Sequence, residues 1–406
     1  MTQDHLARMI FSQAGRYGEH AALCFKRDGQ WRSLSWYETG ERIRAVAKGL
    51  LALGIGEQEC VGIFSPNCAE WCLADYAVQS IRAVSVPIHA SCTASQAAEI
   101  AAEAGIAVLF AGREEQLGVA RELMKQGSTI KKVIVFDARL AAGNDEGVMS
   151  FDELAGSGEL AGNDAEFFAR MDAASSADIS NIIYTSGTSG ESKGAVLTHE
   201  CFRRQLESFR KRFPLGADDI ALSFLPLSHV YGKTMDYLVQ SGGGTVYYCE
   251  ELMDVVEGFS AVRPTYMAGV PRLYERMYRA IRDNLIKKGL AYRWALRAGR
   301  RYNYRRYSGR PIPLTARLAY ALADRMALKR IRDMLGGRIH WFSAGGAPLS
   351  GEVEDFFLAA GVFIGQGYGL TETCSASASI TRAGSSSAQW APRWTASRSR
   401  SPTTGR

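Results

Sequence analysis

A chain of 406 residues, 47% hydrophobic and 22% charged, can bury a large core in two or three domains, which excludes the fibrous and intrinsically disordered classes. No apolar run approaches the roughly 18 residues that a membrane-spanning helix needs. The net charge of +6 comes without a helix-turn-helix, zinc or RNA-binding signature, so nucleic acid is not expected as a partner.

The opening residues, MTQDHLARMI, carry an acid and a histidine where a secretory signal would need an apolar segment. Eight cysteines are scattered through apolar stretches with no C-x-x-C pair, which points to reduced thiols in a cytoplasmic protein. Short apolar runs at Cys60–Phe64, Ala83–Pro87, Ala107–Ala111 and Lys131–Asp137 predict buried strands. Helical spacing predicts helices between them at Asn67–Arg82, Ser95–Ala104 and Glu114–Gln126. Such alternation implies an α/β protein with mostly parallel, doubly wound sheets. The segment from Ala141 to Asp178 is rich in Gly, Ala, Ser, Asp and Asn and reads as a surface connection between two such units. Strands resume at Ile179–Tyr184, Ile220–Leu225, Gly244–Cys249, Thr265–Val270 and Arg338–Ser343. Two doubly wound subdomains sharing one domain are expected, with ligands at the carboxyl ends of strands.

From Pro271 to His340 the chain is helical in pattern and carries 19 Lys and Arg against four acids. Either this is a solvated face, or it meets an anion such as a phospholipid head group, a fatty carboxylate or a CoA phosphate. Peripheral contact with an anionic membrane is the corresponding expectation. Residues 374–406 hold no Leu, no Val, no acid, nine Ser and five Arg. A segment so poor in apolar residues is expected to be disordered, which sets a boundary between residues 1–373 and 374–406.

The densest chemistry lies at Thr185-Ser186-Gly187-Thr188-Ser189-Gly190-Glu191-Ser192-Lys193-Gly194, where a buried strand runs into a loop of glycines and hydroxyls ending in Lys-Gly. Glycines let backbone N–H groups approach phosphate oxygens, and Lys193 adds charge. The spacing is not that of a Walker A loop. The string resembles the phosphate loop of the adenylate-forming superfamily, with Ser192 where the family usually has Pro. Two further segments extend the resemblance: Ser343-Ala344-Gly345-Gly346-Ala347-Pro348-Leu349, similar to the adenine-side turn, and Gly367-Tyr368-Gly369-Leu370-Thr371-Glu372-Thr373, similar to the Y-G-x-T-E motif. The resemblance implies that Tyr368 stacks on adenine, Thr371 contacts phosphate and Glu372 holds Mg²⁺, an ion suited to one carboxylate plus polyphosphate oxygens. It also implies catalytic roles for Thr185, Lys193, His229 and Glu372.

The segment Leu225-Pro226-Leu227-Ser228-His229-Val230-Tyr231-Gly232 resembles the family's acyl-pocket border, with His229, Tyr231, Gly232 and Gly269 lining it. For His229 a helix-capping or core role is the competing reading. Val270-Pro271-Arg272-Leu273-Tyr274-Glu275, ahead of a basic insertion, resembles long-chain fatty acyl-CoA synthetases, whereas Gly232-Lys233 departs from their usual acidic-basic pair. The implied reaction takes a fatty acid and ATP to acyl-adenylate, then to acyl-CoA with CoA as co-substrate. An acyl-AMP ligase, an aryl-CoA ligase, or a binding-only remnant holding ATP or acyl-adenylate are the alternatives.

The ribose Asp, the hinge and the lid Lys that the family carries after Y-G-x-T-E are not recognisable, so the expected fold lacks the C-terminal lid domain. Gln389–Ser399, back-translated with GC-rich codons and read two bases later, yields V-G-x-P-L-D-G-V-E-V, which is similar to the family at this point. A frameshift, in the gene or in its sequencing, is the corresponding hypothesis. It carries the expectation of weak or no pyrophosphate exchange and no detectable acyl-CoA from the 406-residue product.

Overall fold

The computed structural model describes residues 4–141, 146–186, 192–211, 213, 215–249, 252–285, 289–375 and 378–380. They form two compact units, one of residues 4–268 with Thr371–Ser375, the other of Gly269–Leu370 with residues 378–380.

The first unit opens with α1 (Leu6–Tyr17), the hairpin β1 (Ala21–Arg27) and β2 (Gln30–Ser35), and α2 (Trp36–Ala52). Asp28 and Gly29 turn the hairpin at positive φ, the conformation that Asp-Gly pairs supply to two-residue turns. Then come β3 (Cys60–Phe64), α3 (Ala69–Ser80), β4 (Val84–Ile88), α4 (Ala94–Glu103), β5 (Val108–Ala111), α5 (Glu114–Lys125) and β6 (Lys132–Val135). These follow the expected strand–helix alternation within a residue or two. Phe64, Val86, Leu109 and Val133 are buried in one core with Ile100 and Leu117 from the covering helices. Capping boxes Ser35–Glu38 and Thr93–Gln96 start α2 and α4, each pairing a hydroxyl and an Oε with two orphan amides.

The expected surface connection after residue 141 is instead ordered structure: β7 (Val148–Ser150), α6 (Phe151–Leu160) and α7 (Asp164–Ala173). Its small residues serve packing. A Cβ on Gly158 would lie 2.3 Å from the backbone nitrogen of Gly49 in α2, so the helices meet backbone to backbone. The hairpin β8 (Ile179–Ser186) and β9 (Ser192–Thr198) completes a seven-stranded sheet of order β7-β6-β5-β3-β4-β8-β9, parallel except for β9.

After α8 (His199–Arg210), β10 (Ile220–Ser223), α9 (Val230–Ser241), β11 (Thr245–Tyr248), α10 (Leu252–Val262) and β12 (Tyr266–Gly269) build the second sheet. Its order is β12-β10-β11-β1-β2, parallel up to the β1–β2 hairpin. In the second unit, α11 (Pro271–Leu285), α12 (Gly289–Tyr307), α13 (Leu314–Ala323) and α14 (Lys329–Met334) carry the basic stretch. They precede β13 (Trp341–Ala344), α15 (Gly351–Ala359), β14 (Phe363–Tyr368) and β15 (Ala378–Ile380). β13 and β14 are parallel, and β15 pairs antiparallel with β14, so the segment expected to be disordered includes a strand; residues 381–406 lie outside the described residues.

A buried histidine pair ties α1 to α8. The rings of His5 and His199 stack with centroids 3.4 Å apart. Each accepts a backbone N–H at Nδ1, from Ala7 and Leu6 respectively, which leaves the ring proton at Nε2. Burial lowers His5 to about 4 and pushes His199 well below its usual value. A histidine whose folded pKa is depressed binds its proton more readily in the unfolded chain, so stability falls as pH drops from 6.5 toward 4. His5 alone accounts for about 3 kcal/mol over that window. Urea denaturation at pH 7.5 and pH 4.5 checks this: the fall in midpoint should shrink in His5→Gln, and an unchanged pH dependence would remove the pair as its cause.

Candidate active site

The strand β8 brings Thr185 to the carboxyl edge of the first sheet, and β9 returns with Lys193 directly opposite it. Opposed residues of an antiparallel pair project to the same face, so the half-buried hydroxyl of Thr185 and the exposed Lys193 flank one side of the hairpin. Ser186 pairs with Ser192 one step further along. The expected tip residues Gly187, Thr188, Ser189 and Gly190 lie outside the described residues. Thr371–Thr373 forms a single 3₁₀ turn that packs on β9 within the first unit. Thr185, Lys193, Thr371 and Glu372 thus come from elements in direct contact. Glu372 is exposed and offers one carboxylate, which suits Mg²⁺ shared with polyphosphate oxygens; no group of three or more metal-ligating side chains forms among the described residues.

His229 is the residue before α9 and makes no side-chain cap to it, so it is not a helix-capping histidine. Its ring lies 5.3 Å from that of His89, beyond the end of β4; the residue keeps exposed surface, and the partial desolvation of its ring, with His89 beside it, lowers its pKa. His89 shares a 2.8 Å hydrogen bond with Ser91. The sequence reading passed over His89 because it stands in an unremarkable loop, and only the fold places it beside His229. Gly232 packs closely on the segment before α9, where a Cβ would sit 2.8 Å from the Pro226 carbonyl oxygen. Tyr231 is half-buried at the start of α9. Asn67, also unforeseen, donates to the Leu225 carbonyl and accepts from the Leu227 amide, clamping this segment to the loop after β3.

Beneath the hairpin lies a buried polar network. The Lys233 Nζ, 1% exposed, sits 2.7 Å from Asp75 Oδ1, bonds to Asn181 on β8 and lies 4.8 Å from the Trp71 ring centroid. Asp75 also accepts from Tyr237 and from Gln79. Burial lowers the Lys233 pKa, and the Asp75 carboxylate opposes that shift. The residue that departs from the expected acidic-basic pair therefore forms an ion pair with α3. It pins α9 and α3 to the strand that carries Thr185, four residues beyond Asn181.

In the second unit, the amide of Gly345 bonds to the Gly269 carbonyl at 3.2 Å, and Gly346 takes φ +84°. Ala347 and Pro348 are exposed after it, and Gln366 receives the Leu349 amide. Gly269 leaves room for Tyr274, whose hydroxyl donates to the Ser343 carbonyl. Tyr368, 60% exposed, ends β14 between Gly367 and Gly369 and carries a flat aromatic face suited to stacking.

The chain is an α/β protein of doubly wound, mostly parallel sheets, with a hairpin that carries Thr185 and Lys193 at the carboxyl edge of the first sheet. The AMP-binding enzyme family matches residues 10–406, and the chain belongs to that family. It is 30% identical over 373 residues to the long-chain-fatty-acid--CoA ligase FadD15 of Mycobacterium bovis, covering 91% of this chain and 61% of that protein. It is 27% identical to the peroxisomal long chain acyl-CoA synthetase 7 of Arabidopsis thaliana, with 86% and 49% covered. The chain thus spans roughly half to three fifths of the length of these curated relatives. Its fold is shared with a long-chain-fatty-acid-CoA ligase from Archaeoglobus fulgidus, at TM-score 0.68, 17% identity and 93% and 66% coverage. It is also shared with the N-terminal domain of FACL13 from Mycobacterium tuberculosis, at TM-score 0.63, 20% identity and 93% and 78% coverage.

Proposed function

We propose that this protein activates a long-chain fatty carboxylate with ATP and Mg²⁺, forming acyl-adenylate for transfer to CoA. The observation that carries the reading is the juxtaposition of Thr185 and Lys193 on one face of the hairpin with the Thr371–Glu372 turn packed on β9. Donors and a cation at the phosphates would stabilise the charge that develops as the carboxylate attacks the α-phosphorus and pyrophosphate leaves, while Glu372 would hold Mg²⁺, which would supply further positive charge there. In this reading Ser186 to Gly190 add phosphate donors, the Gly345–Pro348 turn and Tyr368 hold adenine, and His229 with Tyr231 borders the carboxylate. The long-chain assignment is supported by the relatives' names and by Val270–Glu275; an aryl-CoA or acyl-AMP ligase and a binding-only remnant are its competitors. Mass spectrometry of the products from ATP, Mg²⁺ and palmitate or benzoate, without and then with CoA, separates them: palmitoyl-AMP supports fatty-acid activation, benzoyl-AMP the aryl reading, and neither the remnant, while conversion of palmitoyl-AMP to the thioester on adding CoA separates the proposal from an acyl-AMP ligase.

A specific surface favours peripheral lipid contact as part of the same function. Leu314, Leu318, Leu322 and Met326 recur every four residues along α13 and the π-turn that follows, from 71% exposed at Leu314 to 47% at Met326. Exposed Arg310, Arg317, Arg325, Lys329 and Arg330 surround them. An apolar stripe edged by cations suits an anionic interface, where each cation contributes about 1 kcal/mol near the surface. No helix among the described residues is long and apolar enough to cross a membrane. Sedimentation with phosphatidylglycerol vesicles at low salt should carry the protein down, and Leu318→Glu with Leu322→Glu should abolish this. Equal sedimentation of the double variant would return the stripe to a solvated face.

A further inference from the structure

The first sheet has a second feature at its carboxyl edge that the hairpin does not use. The chain passes from β3 to its neighbour β4 on one side, then returns through α4 to β5 on the other side of β3. The connections after β3 and β5 therefore leave in opposite directions and open a crevice between them, the position at which doubly wound sheets bind ligands. A pocket of about 430 Å³ occupies that crevice, within the size range of small-molecule sites. Its walls are the loop 65–68 after β3 with Glu70 in the first turn of α3, Gly112 and Arg113 after β5, Phe136, Asp137 and Arg139 after β6, and the ends of β1 and β11. Glycine at 112 permits the approach, because a Cβ there would fall 2.0 Å from the Ser65 hydroxyl. None of the residues assigned to nucleotide or acyl binding lines it.

The electrostatics of the pocket favour an anion. Lys26, Arg27, Arg113 and Arg139 line it against two acids, Glu70 and Asp137. Asp137 holds the Arg139 guanidinium in a fork, Nε at 2.9 Å and the terminal nitrogen at 2.7 Å, which fixes that cation at the rim. The twelve-residue helices α3 and α5 both begin at the pocket, and neither N-cap, Cys68 or Arg113, supplies a side-chain hydrogen bond to the first turn.

We propose that this crevice is a second anion site, separate from the hairpin, which takes a small molecule through a phosphate or diphosphate group. Inorganic pyrophosphate and glycerol phosphate are the two probes, the first for a free diphosphate and the second for a phosphomonoester. Both are titrated calorimetrically into Thr185→Ala/Lys193→Ala protein, so that binding at the hairpin is removed. Saturable binding of either probe is expected, weakened at least tenfold when Arg27, Arg113 and Arg139 are also changed to Gln. All three are exposed, so the triple change should leave the urea midpoint in place. Absence of saturable binding in the Thr185→Ala/Lys193→Ala protein would overturn the proposal. So would binding that the three arginine changes leave untouched. A surviving response to one probe alone identifies which phosphate chemistry the site takes.

Discussion

Thr185→Ala combined with Lys193→Ala should weaken ATP binding by roughly two to four orders of magnitude. Hydrogen bonds to a charged group contribute about 1.5–3 kcal/mol each, so losing both donors costs roughly 3–6 kcal/mol. The two residues oppose each other at the mouth of the hairpin, with Thr185 half-buried and Lys193 exposed, so their removal should leave the folded chain intact. Isothermal titration of ATP in the presence of Mg²⁺ reads the effect directly. Unchanged affinity in the double variant would mean that nucleotide binds elsewhere, and the hairpin would lose its assigned role.

Lys233→Met should cost about 3–5 kcal/mol of stability, the penalty for leaving one member of a buried ion pair uncompensated. Asp75 would remain at 1% exposure, with Tyr237 and Gln79 as its donors and no cation. The loss should appear as a lowered urea midpoint. Asp75→Leu added to Lys233→Met should recover much of it, because a matched apolar pair replaces the ions. A loss below about 1 kcal/mol in the single variant would show that the pair is not what holds α3, α9 and β8 together. Because Asn181 lies on the strand leading to Thr185, the single variant should also loosen the hairpin and weaken ATP binding.

Much of the first sheet is legible in the sequence because buried parallel strands are short, continuous apolar runs bounded by breakers, and β3 to β6 all have that form. The segment 146–173 hid because Gly and Ala within it look like linker composition, whereas in the fold Gly158 makes room for Gly49. The β1–β2 hairpin carried its signal in Asp28-Gly29, and its pairing beside β11, across more than two hundred residues, has no local trace. The site divides along the same line. Thr185, Lys193 and the Thr371–Glu372 turn stand in contiguous motifs with a physical rationale for each residue type. His89, Asn67 and Asp75 matter through partners 140, 158 to 160 and 158 positions away, and only the fold supplies those partners. Lys233 stands in the sequence only as a departure from the expected acidic-basic pair; the fold shows that it is buried and therefore needs a compensating carboxylate.

The most direct test of the account is whether this chain makes an acyl-adenylate. Protein in stoichiometric amount, mixed with ATP, Mg²⁺ and palmitate and then quenched, should yield palmitoyl-AMP by mass spectrometry. Its formation should require the metal and the fatty acid, and should disappear in the Thr185→Ala/Lys193→Ala variant. A folded chain that binds ATP but forms no adenylate from palmitate or any other carboxylate would contradict the proposed activity.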